Sequence, residues 1–138
     1  FSDMVSSIFI INLLLVALPF SIGLISSIIK RDCNIDEGIV FYILIPVVTV
    51  FFSTSLGLLL GTIFPKRGFF LSALLLIATI CFSLWKLYLN PPIFFYNPVI
   101  GFFPGPLYDE VIPITPTIVI YRTAVICWGI LFLFWFFS

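Results

Sequence analysis

The sequence predicts an all-α transmembrane fold, a bundle of about four helices, and three observations lead to it. Hydrophobic residues make up 62% of the 138 positions and charged residues only 9%, against roughly 45–50% and about 25% in an ordinary soluble domain. Apolar runs with at most one charge recur along the chain, each near the ~20 residues that a helix needs to cross the hydrocarbon core. Most of the few charges lie between these runs, and only Lys86 and Arg122 fall inside them. We therefore expect a single membrane domain over residues 1–138, with the lipid bilayer as its surroundings.

The breaks between the apolar runs divide the chain into four predicted helices, at about residues 5–29, 39–64, 69–89 and 118–137. The first is not a secretory signal peptide, which would have a basic start and a shorter apolar stretch. Between the second and third, Pro65-Lys66-Arg67-Gly68 predicts a tight turn, because proline and glycine end helical geometry and the two cations prefer water. The second and third helices should therefore form a hairpin.

The segment from Asn90 to Thr117 differs from the rest of the chain. It holds seven of the ten prolines, and this spacing excludes a regular helix. A disordered linker would be polar, whereas this stretch is rich in aromatic residues: Phe94, Phe95, Tyr96, Phe102, Phe103 and Tyr108. We predict an ordered loop between the third and fourth helices, packed on the membrane surface or dipping into it.

Composition excludes several functional classes. The chain has no histidine, so haem or chlorophyll ligation by imidazole, histidine zinc sites and histidine proton relays are not available to it. Cys33, Cys81 and Cys127 are widely spaced and form no CxxC pair; Cys81 and Cys127 are predicted to be core residues. Six basic residues balance six acidic ones, which argues against nucleic acid as a partner. We expect no cofactor, no metal and no enzymatic activity.

Small residues form a stripe along the second predicted helix. Thr49, Ser53, Gly57 and Gly61 recur every four residues and therefore share one face of this helix. A weaker pair, Gly23 and Ser27, occurs in the first helix. Helices in lipid associate by close backbone contact over small side chains. We interpret the stripe as a packing seam, within the bundle or with a neighbouring subunit. A solute path lined by Thr49 and Ser53 is the alternative.

The paired acids Asp109 and Glu110, beside Tyr108, are the only carboxylates after Glu37. A carboxylate near low dielectric needs a counter-charge, hydrogen-bond donors or a proton. Arg122, about one turn inside the fourth helix, is the obvious partner. The sequence therefore predicts a salt bridge or cap that ties the loop to this helix. The alternative is an ion, proton or substrate contact at the mouth of the bundle.

Two stretches resemble known bacterial membrane proteins. The run YNPVIGFFPGPLYDE, Tyr96 to Glu110, is similar to a pattern in poorly defined multi-pass proteins, some fused to metallopeptidase-like domains. The run FFSTSLGLLLGTIFPKRG, Phe51 to Gly68, resembles the small-residue helix and basic turn of ABC-2-type permeases. The first resemblance implies a bacterial inner membrane. Neither implies a functional residue, and no HExxH motif is present.

Two functions from different classes are compatible with these features. The first is a non-catalytic subunit or anchor that packs through its glycine seam into a larger membrane complex. The second is the membrane domain of a transporter, with helices that rearrange at Pro19 and Pro46 and with Asp109 and Glu110 near its entrance. The chain starts at Phe1 and stops inside an apolar run, so we expect that it can be part of a longer protein, whose remainder would be a further partner.

Overall fold

A computed structural model of the protein describes residues 2–30, 35–89, 94–99, 101–104 and 115–138. Within these ranges four helical spans are long and apolar enough to cross a membrane: Val5–Ile29, Gly38–Ile63, Gly68–Lys86 and Pro116–Phe137. The predicted all-α fold with four membrane helices is confirmed. Four apolar helices of this length are those of an integral membrane protein, because a helix satisfies its own backbone hydrogen bonds in lipid.

The two prolines inside predicted helices behave differently. Helix α1, Ser2–Lys30, continues through Pro19. The second span consists of α2, Ile35–Tyr42, a π-helical turn, Ile43–Val47, and α3, Val48–Ile63. Pro46 lies within the π turn, where the wider winding accommodates a residue that has no N–H and whose ring crowds the preceding turn. The third and fourth spans are α4, Gly68–Leu89, and α5, Pro116–Phe137.

Helix α3 is the centre of the bundle. It packs most extensively on α5 and less on α4 and α1. At the α3–α5 contact the ring of Phe51 lies directly on Gly129, where an added Cβ would be 2.6 Å from Phe51 Cε1. Gly129 is therefore a close-approach glycine. The prediction that Cys81 and Cys127 are core residues is wrong: both are exposed on the outside of the bundle, where lipid can cover an apolar thiol.

Helix α1 lies at the periphery of the bundle. Among its described side chains Val5 is the only buried one. Two polar contacts hold it: Asn12 Nδ2 donates to Thr54 Oγ1 at 2.9 Å, and the Tyr42 hydroxyl donates to the carbonyl of Val16. Since apolar contact alone gives little association between helices in lipid, these two hydrogen bonds are important for the placement of α1.

The connection between α3 and α4 is a tight turn. Helix α3 is followed by Phe64, whose carbonyl accepts from the N–H groups of Arg67 at 3.0 Å and Gly68 at 2.7 Å. Gly68 begins α4, and an added Cβ there would be 3.0 Å from both the Leu60 carbonyl oxygen and Gly61 Cα. A side chain at this position would push the two helices apart.

The segment between α4 and α5 contains a short antiparallel hairpin. Strand β1, Phe94–Asn97, pairs with β2, Gly101–Pro104, with Phe94 opposite Pro104 and Asn97 opposite Gly101. Strand β1 packs against α4, and β2 packs against the π turn. The described strands show that this part of the predicted loop is ordered and non-helical. Pro116 and Thr117, at the end of the predicted loop, already belong to α5. The paired strands were not predicted from the sequence.

Candidate functional site

The tip of the hairpin is fastened inside the bundle by Asn97. This side chain is 1% exposed. Its Nδ2 donates to Ser83 Oγ at 2.6 Å and to the Thr79 carbonyl at 3.3 Å, and its Oδ1 accepts from the N–H of Val99 at 2.8 Å. One side chain thus closes the turn and docks it on α4.

The docking position of the hairpin tip can be compared with the end of the third membrane span. Thr79 precedes Lys86, the end of the third span, by seven residues, which corresponds to about 10 Å along a helix. Non-helical backbone at such a depth is tolerated only where protein or a water-filled cavity shields it. The cross-strand pairs, Asn97 and the contacts with α4 and the π turn supply that shielding. We therefore predict that the segment is a re-entrant hairpin.

Two grooves flank the hairpin tip. One, of about 590 Å³, runs between α3, α4 and α5 and has an almost entirely apolar lining that includes Phe52, Gly57 and Phe132. The other, of about 450 Å³, is more polar, with Thr79, Ser83, Lys86, Asn97 and Tyr121 in its wall. Leu75, Thr79 and Pro98 border both grooves. The tip therefore lies between an almost entirely apolar groove and a more polar one along the same side of α4.

Arg122 is a charged side chain buried inside the bundle. It is 1% exposed, and its Nη1 donates to Thr49 Oγ1 at 3.4 Å. Its guanidinium carbon is 5.8 Å from the ring centroid of Tyr121. Nε and Nη2 are buried and have no hydrogen-bond partner among the residues that the structure describes. An arginine in such a position within a membrane span marks a functional site by default.

Of the polar residues that the sequence singled out, the structure describes Thr49 and Arg122 but not the acidic segment. Thr49 faces Arg122, 73 residues away in the chain, and so contributes to the α3–α5 contact. Tyr108, Asp109 and Glu110 lie outside the described residues. The salt bridge or cap between this acidic pair and Arg122 stays a prediction.

The glycines of the predicted seam are not covered within the described bundle. Ser53, Gly57 and Gly61 are exposed, and an added Cβ at either glycine would meet nothing within 4 Å. Gly23 is equally open, and with Ser27 it borders a groove of about 260 Å³ between α1 and α2. The backbone of Gly61 lies close to Gly68 at the start of α4. The seam therefore has room for a partner.

Sequence reasoning missed Asn97, Gly129 and Asn12. The Asn-Pro pair at 97–98 is a turn signal, and Thr79 and Ser83 share a face of α4 because they are four residues apart. These patterns indicate a turn and a polar patch separately. Only the three-dimensional structure brings them together.

No protein-family model matches the chain, and no curated protein or solved structure shows significant similarity to it. The resemblances of its two motifs to bacterial membrane proteins stay predictions. The geometry of the described residues is therefore the basis for a functional proposal.

Proposed function

We propose that the chain is a non-catalytic integral membrane subunit or anchor that packs into a larger membrane complex, with other membrane subunits or the rest of a longer chain as its partners. The face of α3 that carries Ser53, Gly57 and Gly61 is the contact surface. The supporting observation is that this face is exposed and both glycines have free space above them. We further propose a bacterial inner membrane as its location, which the resemblance of the proline-rich segment favours.

A partner helix packs more favourably on such a face than lipid does. Two helices with small residues at four-residue spacing bring their backbones together and gain dispersion and Cα–H contacts that flexible acyl chains do not match. Gly129 provides an internal comparison, because it is already covered by the Phe51 ring. The chain thus contains one glycine contact that is satisfied internally and a second glycine face that is open.

The exposure of α1 supports the same proposal. Its described side chains are almost all unburied within the chain, and its main ties are the hydrogen bonds of Asn12 and Tyr42. A helix with so few internal contacts is stabilised when a neighbouring subunit packs on its outer side.

A second candidate, the membrane domain of a transporter, is favoured by the π turn at Pro46. Interrupted helices and re-entrant segments are features of transporters, which bind solutes where helices are broken. The π turn contacts α5 and β2, so a movement there would alter the surroundings of Arg122 and the hairpin together. Pro19 has less support as a hinge, since α1 continues through it.

Gly57→Leu is expected to dissociate the complex, because the new side chain fills the space that a partner helix occupies. Native gel electrophoresis of membranes solubilised in a mild detergent checks this, with a shift from a high-mass band to the mass of the single chain. Ala124→Leu is the matched control, because Ala124 is exposed on α5 and lies outside the seam; its complex should persist.

The same preparation separates the two candidates. A wild-type chain that is monomeric in native membranes contradicts the subunit proposal. If this monomer also moves a solute across reconstituted liposomes, the transporter candidate replaces it. If the complex forms and Asp109→Asn with Glu110→Gln leaves every measured activity unchanged, the transporter candidate is eliminated.

A further inference from the structure

We infer that the free edge of the Arg122 guanidinium, formed by Nε and Nη2, is an internal binding site for a carboxylate. Nη1 already donates to Thr49. The two nitrogens without a described partner are the pair whose N–H bonds point in the same direction. A carboxylate accepts both in the bidentate geometry that arginine favours.

Burial makes a counter-charge necessary at this position. Arg122 is 1% exposed, and the Thr49 hydroxyl is neutral, so it satisfies one donor without balancing the charge. An uncompensated charge in low dielectric is strongly unfavourable, and a hydrophobic side chain of similar size would pack there without this cost. The presence of a buried arginine therefore points to an anionic occupant.

Because the site contains a single positive charge, we expect its occupant to carry a single negative charge. Lys66, Arg67 and Lys86 are exposed, so among the described side chains Arg122 is the only buried cation. A carboxylate neutralises one guanidinium, whereas a phosphate dianion would leave a net negative charge in the bundle. The planar carboxylate also matches the two parallel N–H bonds.

Access to the edge requires an opening of the bundle, since Nε and Nη2 are closed off from solvent. The π turn ends at Val47, two residues before Thr49, and it contacts both α5 and β2. We expect access through a movement of this turn, which would change the packing of α3 and α5 around the guanidinium. The carboxylate site does not depend on whether the chain is a subunit or a transporter.

The test uses the full chain in nanodiscs of zwitterionic phosphatidylcholine, with sodium benzoate as the probe and sodium chloride at equal ionic strength as the reference. Benzoate should raise the Tm of the wild type saturably by a few degrees, because a ligand that binds only the folded state stabilises it. Arg122→Lys keeps the charge but lacks the forked edge, and its benzoate response should be lost. Sodium phosphate should have a smaller effect than benzoate.

A spectroscopic measurement keeps the test valid if Arg122→Lys does not fold. The chain has three arginines, Arg31, Arg67 and Arg122, so ¹⁵N-arginine labelling yields three Nε–H signals. Benzoate should shift one of these signals and slow its hydrogen exchange, while the other two stay unchanged. Arg67→Lys, outside the spans, identifies one of the unaffected signals.

The double variant Asp109→Asn with Glu110→Gln distinguishes the sources of the carboxylate. A response in the wild type supports the site with an external carboxylate as its occupant. A response that appears only in the double variant, and disappears when Arg122→Lys is added, supports the site with the chain's own acidic pair as occupant. If neither protein shows a Tm or Nε–H response, the inference is overturned.

Discussion

Gly129→Ala is expected to lower the free energy of unfolding by about 1–3 kcal/mol, the usual cost of overpacking a filled core. The added Cβ would be 2.6 Å from Cε1 and 3.0 Å from Cδ1 of Phe51. Phe9 packs beside the Phe51 ring with ring centroids 6.1 Å apart, but both rings line a groove of about 140 Å³ that gives the Phe51 ring some space to shift, so we expect the lower part of this range. Reversible unfolding in mixed micelles, followed by circular dichroism, measures the loss.

Gly57→Ala is the matched control for this substitution. It introduces the same methyl group into α3, where nothing lies within 4 Å of it. Alanine is favoured over glycine in a helix by up to about 1 kcal/mol in water, so in the isolated chain, dissociated from any partner, this variant should be neutral or slightly more stable. Phe51→Leu combined with Gly129→Ala should recover part of the loss. Equal losses for Gly129→Ala and Gly57→Ala would show that the α3–α5 contact is not as described.

Asn97→Ala is expected to release the hairpin tip from α4. The substitution removes the two bonds to Ser83 and Thr79 and the acceptor for the Val99 N–H. A buried polar group left unsatisfied costs about 1–3 kcal/mol, and Val99 N–H and Ser83 Oγ both lose a partner. Amide hydrogen exchange should therefore accelerate at Val99 by roughly tenfold or more, since ~1.4 kcal/mol corresponds to a factor of ten.

Two further variants separate the turn from the docking. Asn97→Asp keeps an acceptor for the Val99 N–H and loses the donor for Ser83 and Thr79, so the turn should persist while the hairpin detaches. Ser83→Ala removes one bond of the three and should have a smaller effect on exchange. If Asn97→Ala leaves the exchange at Val99 unchanged, the tip is held by other contacts and the role of Asn97 is refuted.

The four helices could be predicted from the sequence because hydropathy and charge placement dominate in a bilayer. Backbone groups in lipid must be satisfied within the segment, so a long apolar run becomes a helix. Proline, which has no N–H to donate, predicted the absence of a regular helix between Asn90 and Thr117. The described strands agree with this, although α5 already begins at Pro116. The hairpin was not predictable, since its pairing depends on long-range contacts with α4 and the π turn.

The candidate sites were predictable only in part, because a pattern on one helix does not tell which face its neighbours cover. Regular spacing predicted a packing contact at Gly57 and Gly61. The glycine that Phe51 covers is instead Gly129, which belongs to no such repeat. Arg122 was expected near the membrane face from its position in the helix. The structure buries it because the start of α5 packs against α3, where Thr49 meets it.

The depth of Val99 is the measurement that tests the re-entrant hairpin most directly. A nitroxide at Val99, with Cys33, Cys81 and Cys127 replaced by alanine, reports its collision rates with oxygen and with a water-soluble nickel complex. Labels at Ile77, exposed on α4 close to Thr79, and at Tyr88, exposed near the end of α4, provide the references. We expect Val99 to match Ile77, with high oxygen and low nickel accessibility. A Val99 label that matches Tyr88 and collides freely with nickel would place the segment on the membrane surface and contradict the re-entrant hairpin.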